Sequence, residues 1–456
     1  MDVSVSNVTS AAMLSNQLVL GYEYRVEIFS CVENDSCALE FAIDSEEQSF
    51  GGLLSFSSNG NYLLVGAPDM VDNGVVFLYK KSNSSSAWGL INRLANPSSS
   101  VSVSQFLTNI LLPQIKTIVG NGMPGYGGDS GAATSTSLLF PTSIAVDSSG
   151  NIYIADTQNH RIRKFTALTG KLSTIAGTEE EGYNGDNIIA TTAKLSSPTG
   201  VALDSIGNVY IADSQNHRIR KITISNGKIS TIAGDGDAGS PLYDGLSAIA
   251  SSLNNPTSVA VDQSSSNTVY FADTNNSKIR KITSSKLYTV AGTDYTYSPY
   301  IQPNLIYEGL AQYIKISSPI SVAASGGKIY FIENLINTVR QVVVQNGYYT
   351  MTTIAGGCRP GFPSTTEFAC LDSPFGIAIG PNGDVYVADK SNARIKKINP
   401  TTKTISTIAG GSGAGFDGDN GPAILSSLND PCGIAVQSNG AVYIADTKNN
   451  RIRKVL

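Results

Sequence analysis

Short apolar runs, four to a group and each closed by polar turn residues, recur along most of the chain. The clearest group reads SIAV at 143–146, NIYIA at 151–155, RIRKF at 161–165 and LSTIA at 172–176. Runs this short, rich in β-branched and aromatic residues and bounded by turn formers, predict successive antiparallel hairpins. SIAV and IYIA are almost wholly apolar instead of alternating, which predicts strands covered on both faces. Four-stranded sheets stacked on copies of themselves predict an all-β fold, the β-propeller.

The group repeats at a fixed period. IADTQNHRIRK (154–164) returns as IADSQNHRIRK, FADTNNSKIRK, VADKSNARIKK and IADTKNNRIRK, with a weaker copy, IENLINTVRQV, at 332–342. The acidic position falls at Asp156, Asp213, Asp273, Glu333, Asp389 and Asp446, in steps of 57, 60, 60, 56 and 57 residues. Six such units tile the region. The series opens with a lone fourth strand, TIVG at 117–120, and ends at RIRKVL with a unit lacking its fourth. The expectation is a six-bladed ring in which 116–119 completes the last blade and removes both open edges.

With P-x-G-I-A-V-D upstream and N-x-x-R-I-R-K after I-A-D, residues 116–456 resemble the NHL-repeat propellers. Unit four departs from the pattern, with Ile336 in place of the asparagine and Thr338 in place of the first arginine. The front part differs. Ser49 to Trp88 resembles an FG-GAP unit of the integrin α type, and 16–29 resembles a worn copy 45 residues earlier. That family's calcium loop wants clustered aspartates and SSNGN at 57–61 has none, so no metal is carried over. The expected organisation is an FG-GAP-like β region at 1–94, a Ser-rich linker at 95–115 and the propeller at 116–456.

Charge and cysteines narrow the possibilities. The chain has 31 basic and 36 acidic residues; 4 and 11 of them precede residue 116, leaving a near-neutral ring with 27 and 25. Some NHL propellers bind RNA through a basic face, which makes the recurrent RIRK segments a candidate. Without net basic charge, the expectation is against nucleic acid and for pairing of those residues with nearby acids. No apolar run is long enough for a transmembrane helix, and the start lacks a secretory pattern. Among five cysteines, Cys31 with Cys37 and Cys358 with Cys370 are local candidate disulfides, and Cys432 is left over. Four N-glycosylation sequons leave the compartment open: extracellular if the chain is a fragment, otherwise cytoplasmic.

The two histidines, His160 and His217, occupy one repeat position that elsewhere holds Ser277, Asn337, Ala393 and Asn450. A position that drifts to alanine is a turn position, not a catalytic one. The expected roles at the turn are therefore structural. Asp156, Asp213 and Asp446 cap it through nearby backbone; Asn159, Asn216 and Asn449 adopt a left-handed conformation; Arg161, Arg218 and Arg451 pair across it. GNGMPG (120–125) and GDGDAG (234–239) match a dinucleotide fingerprint but lead to sheets, not helices, and are connectors. The connectors GYGGDSG, GYNGDN and GFDGDNG carry carboxylates without calcium spacing, so loop shaping is expected and no metal or other cofactor.

The repeat breaks most at 292–319, where Tyr295, Tyr297, Tyr300, Tyr307 and Tyr313 lie on the connector into unit four. Tyrosines are rigid amphipathic contacts, enriched at binding surfaces. The expectation is a monomeric, non-enzymatic ring presenting its connector face to a protein or glycan. Two alternatives stand beside it: a metal-dependent hydrolase or lyase with its site in the central channel, since NHL-like rings include an amidating lyase, and an adhesive fragment of an extracellular protein.

Overall fold

A computed structural model describes residues 112–456 apart from 130, 242, 265–267, 294–308, 346 and 358–369, and the strand backbones within 8–95. The chain divides into two compact units, Met1–Leu112 and Pro113–Leu456. The first holds two four-stranded antiparallel meanders. One comprises Val8–Leu14, Gln17–Tyr22, Arg25–Val32 and Ser36–Asp44, the other Leu53–Phe56, Tyr62–Ala67, Val75–Lys81 and Trp88–Ala95. The backbone register sets Cys31 opposite Cys37.

The second unit is a six-bladed, all-β propeller of four-stranded antiparallel blades. Blade I is Pro141–Val146, Ile152–Asp156, Arg161–Thr166 and Lys171–Ala176. Blades II to V begin at Pro198, Pro256, Pro319 and Pro374. Blade VI takes Pro431–Val436, Val442–Asp446 and Arg451–Val455 from the end of the chain and Gln114–Val119 from the start of the unit. The closing register pairs Ile452 with Val119 and Val455 with Ile115. The closing strand thus begins two residues earlier than the motif indicates and takes in the end of the expected linker.

Stacking explains the unbroken apolar runs. Every residue of the second strands Ile152–Asp156, Val209–Asp213 and Val442–Asp446 is buried. Each seam has its own apolar core: Tyr153, Ala155 and Ile162 of blade I meet Val201, Val209 and Ile211 of blade II. At the closing seam Val119 and Ile452 pack with Ile144 and Ile152. Hydroxyls then bind blade to blade: Thr157, Ser214, Thr274 and Thr447 donate to the carbonyls of Pro198, Pro256, Pro319 and Pro141. A meander of this kind puts the turn after strand two and the connector after strand four on one face, and the two shorter turns on the other.

Candidate functional site

The turn after strand two organises the connector face. Asp156 is fully buried; one oxygen accepts from the backbone N–H of Leu139 at 2.7 Å, the other from Asn159 Nδ2 at 2.8 Å. Asp213 and Asp446 repeat this with Ser196 and Asn216, and with Asn429 and Asn449. These carboxylates therefore do not cap the turn that follows them: they hold the end of the incoming connector, 17 residues upstream.

Two further expectations need correction. The left-handed residue is His160, at φ 53°, one position after Asn159, and the same shift applies in every blade, as at His217 and Asn450. Asn159, Asn216 and Asn449 instead tether the connector, donating to the carbonyls of Gly125, Gly182 and Gly415. The basic partner of the buried acid is also one position pair further on. Arg163 stands 3.4 Å from Asp156 and Arg220 3.4 Å from Asp213, while Arg161 and Arg218 donate to the carbonyls of Asn159 and Asn216. Alternation carries the reason: Arg161 and Arg163 share one side of strand three, but only Arg163 is wholly buried.

From each buried guanidinium the network runs outward. Arg163 reaches Asp129 at 3.0 Å, Arg220 reaches Asp186 at 3.0 Å and Arg453 reaches Asp419 at 2.7 Å. These are the carboxylates of the three glycine-rich connectors, so their job is to clamp each connector onto its own blade. The aromatic of the same motif completes the clamp: Tyr126 covers Arg161 and Arg163, Tyr183 covers Arg218 and Arg220, and Phe416 covers Arg451 and Arg453. Blades VI, I and II, neighbours in the ring, carry the whole clamp, and blade III repeats its ion pair, with Arg280 3.5 Å from Asp244.

Burial is the leading influence on the inner carboxylates and pushes Asp156, Asp213 and Asp446 up to about 6, against the pull of their hydrogen bonds and arginines. His160 and His217 are acceptors: their Nδ1 atoms take the N–H groups of Ser197 and Asn255, on the connector of the next blade. Asn450 and Asn337 do the same for Phe140 and Ser373. This staple escaped the sequence reading, and its signal was the recurrence of acceptor side chains at a position read only as a turn.

Blade IV keeps the inner pair, with Arg340 Nε 2.5 Å from Glu333, and differs at the turn itself. Its turn carries Leu335 and Ile336, 72% and 42% exposed, where blade I has Gln158 and Asn159. Ile336 has no amide to tether a connector. Tyr313, on the connector into this blade, is 63% exposed. Tyr295, Tyr297, Tyr300 and Tyr307 lie outside the described residues, as does Cys358. Cys370 is disulfide-bonded, and Cys432 is a buried free thiol.

The central channel is lined by the first strands, through Thr142, Ser143, Thr199, Thr257, Ser258 and Ser321 with aliphatic neighbours. A cavity of about 60 Å³ lies within it. Its lining offers hydroxyls and backbone but no imidazole, carboxylate or amine. Among the described residues no group of three or more His, Cys, Asp or Glu is placed to hold a metal. Nor is any helix there long and apolar enough to cross a membrane.

A family model described as the teneurin NHL domain matches residues 175–399 and 241–456, together more than half of the chain, and an NHL-repeat model matches 138–165. The chain belongs to the NHL-repeat propeller family. This NHL propeller is 28% identical over 332 residues to the protein SUPPRESSOR OF QUENCHING 1, chloroplastic, of Arabidopsis thaliana, covering 70% of this chain and 30% of that one. It is 28% identical to human NHL repeat-containing protein 2, covering 69% and 46%. With human teneurin-4 the figures are 25% identity, 75% and 13%. The chain thus spans less than half the length of these relatives. In fold it is similar to an auxiliary nutrient binding protein from Bacteroides ovatus, with a TM-score of 0.54 at 12% identity over 96% of this chain and 94% of that one.

Proposed function

We propose that the chain is a non-enzymatic binding module whose connector face receives a protein partner at blade IV. The observation that carries this reading is the turn of that blade, where Leu335 and Ile336 expose aliphatic side chains at positions that are polar in the other five. Clustered exposed apolar residues on a rigid, otherwise polar scaffold mark interaction sites. Tyr313 adds a rigid aromatic on the neighbouring connector, and the tyrosines at 295–307 belong to the same segment of chain. A channel lined by hydroxyls, backbone and apolar side chains gives a hydrolase or lyase no acid–base pair. The FG-GAP resemblance of the first unit and the disulfide at Cys370 fit an adhesive, extracellular setting.

The test compares affinity capture by the intact chain with capture by Leu335→Ser, Ile336→Asn, Tyr313→Ser combined, and with Leu168→Ser on the opposite face. All three residues changed in the first variant are exposed, so melting should be preserved. A partner held by the intact chain and by Leu168→Ser but lost by the triple variant supports the reading. Equal capture by all three moves the site off blade IV.

A further inference from the structure

The near-neutral charge of the ring conceals a division between its two faces. Strand three of five blades carries, toward the short-turn side, a lysine whose ammonium lies over an aromatic ring. Lys164, Lys221, Lys397 and Lys454 cover Tyr153, Tyr210, Tyr386 and Tyr443, and Lys281 covers Tyr288 and Tyr349. Lys171, Lys228 and Lys286, which open strand four, and Lys328, which opens strand two of blade IV, are exposed at the same side. Against these nine lysines, the described residues of that side carry four aspartates, Asp147, Asp204, Asp262 and Asp384. The first three are occupied in shaping their own turns, through Asn151, Asn208 and Ser264, and Asp384 pairs with Lys397 at 2.8 Å.

The same face exposes apolar side chains at its turn tips. Leu168 is 94% exposed, Ile206 71%, Ile224 52%, and in the long hairpin of blade IV Val344 is 57% and Tyr348 63% exposed. All of them lie at or beside the tips of turns. Lysines at the short-turn rim, with aliphatic side chains exposed among them, match the two components of a lipid interface: anionic headgroups and the acyl boundary beneath.

We propose that the short-turn face of the ring docks on an anionic phospholipid surface, with the lysines at headgroup level and the tips of blades I, II and IV in the interface. A soluble polyanion such as RNA fits less well. The cations here are lysines, not forked guanidiniums, and the tyrosines beneath them are covered, leaving no platform for base stacking. Docking here leaves the connector face directed away from the membrane and open to the partner proposed above, and it does not depend on that proposal.

The full chain is tested by co-sedimentation with vesicles of phosphatidylcholine alone and with about one-third phosphatidylserine, at low and high salt. Binding is expected only with the anionic vesicles and falls with salt. At roughly fivefold per lysine, Lys171→Glu, Lys228→Glu, Lys286→Glu combined should weaken it by a hundredfold or more. Lys315→Glu, Arg394→Glu, Lys448→Glu makes the same change in net charge on the connector face and should leave it intact. Leu168→Ser with Ile206→Ser should weaken vesicle binding while leaving any binding to heparin or RNA unchanged. The proposal is overturned by absence of binding to anionic vesicles. It is equally overturned if the tip variant binds them as well as the unaltered chain, which would mark a purely electrostatic, polyanion-type surface.

Discussion

Blades I and IV share their strand order and the pairing of strands two and three, and on the connector face they part company around the turn after strand two. In both, a fully buried acid meets a buried arginine, Asp156 with Arg163 and Glu333 with Arg340, and accepts a backbone N–H from the incoming connector. Around that shared centre blade I adds Asn159, the Asp129 ion pair and the Tyr126 stack, and blade IV puts Leu335 and Ile336. The inner pair is therefore what a blade of this ring requires, because a turn that crosses a packed seam must bring its polar groups into hydrogen bonds. The asparagine tether is dispensable, and at the blade IV turn that lacks it two aliphatic side chains are exposed.

The strongest way to break this contrast is to attack the part both blades share. Arg163→Met leaves Asp156 buried without its cation and releases Asp129 from the blade. A loss of about 3–5 kcal/mol is expected, from the cost of orphaning one member of a buried pair, and is read as a lower urea midpoint. Arg340→Met should cost a similar amount in blade IV. If either variant melts like the unaltered chain, the inner pair is not the common requirement.

Next comes the layer in which the blades differ. Asn159→Leu removes two hydrogen bonds and leaves Asp156 Oδ2 with only its 3.4 Å contact to Arg163, at about 1–3 kcal/mol. Ile336→Asn in blade IV restores a tethering amide and should be neutral or stabilising by under about 1 kcal/mol, while weakening partner capture. A destabilised Ile336→Asn would show that the aliphatic side chain serves packing and not a partner.

Much of this was legible in the chain. Period, strand count, ring closure and the exceptional character of unit four follow from the spacing of Asp156 and its counterparts and from Ile336, since strand patterns and edge closure are local and repetitive. The partners of Asp156 were not legible, because Leu139, Arg163 and Asp129 come from three different segments and only the packed seam makes them neighbours. The left-handed residue was misplaced by one: Asn is the usual occupant of that conformation, but here the asparagine amide is committed to Gly125, so the conformation falls to His160 and even to Ala393. The front unit's two meanders follow its strand patterns, and its resemblance to FG-GAP units stays a matter of sequence.

The buried aspartates of the clamped sector should also make it respond to acid. Asp156, Asp213 and Asp446 sit at about 6 in the folded ring, above the ordinary 3.8 of an unfolded aspartate. A raised carboxyl binds its proton more tightly when folded, so its contribution is fully present below about pH 4 and is lost as pH rises through 6. On their account stability should increase from pH 7 toward pH 4, by up to about 1.4 kcal/mol per pH unit for each group. Asp156→Asn should flatten the urea-midpoint profile by one group's share. An unchanged profile would mean that Arg163 and Asn159 outweigh burial at this site.

The smallest effect concerns the staple between blades, and it sharpens the contrast by adding a contact where one is missing. His160, His217, Asn337 and Asn450 each accept a backbone N–H from the next connector, so blade IV is as firmly stapled to its successor as blade I. At the blade V turn the position is Ala393, a non-glycine residue at φ 52° whose side chain offers no acceptor. Ala393→Asn supplies one at the residue equivalent to Asn337, facing the Asp430 end of the connector into blade VI, and places in the left-handed region a side chain that tolerates it better. A gain of about 0.5–1.5 kcal/mol is expected in the urea midpoint. His160→Ala should lose about as much and His160→Asn should recover it, because only the acceptor matters. If asparagine fails to rescue blade I, the imidazole is packing against the connector instead of stapling it, and the seams of the two sectors are held by different means.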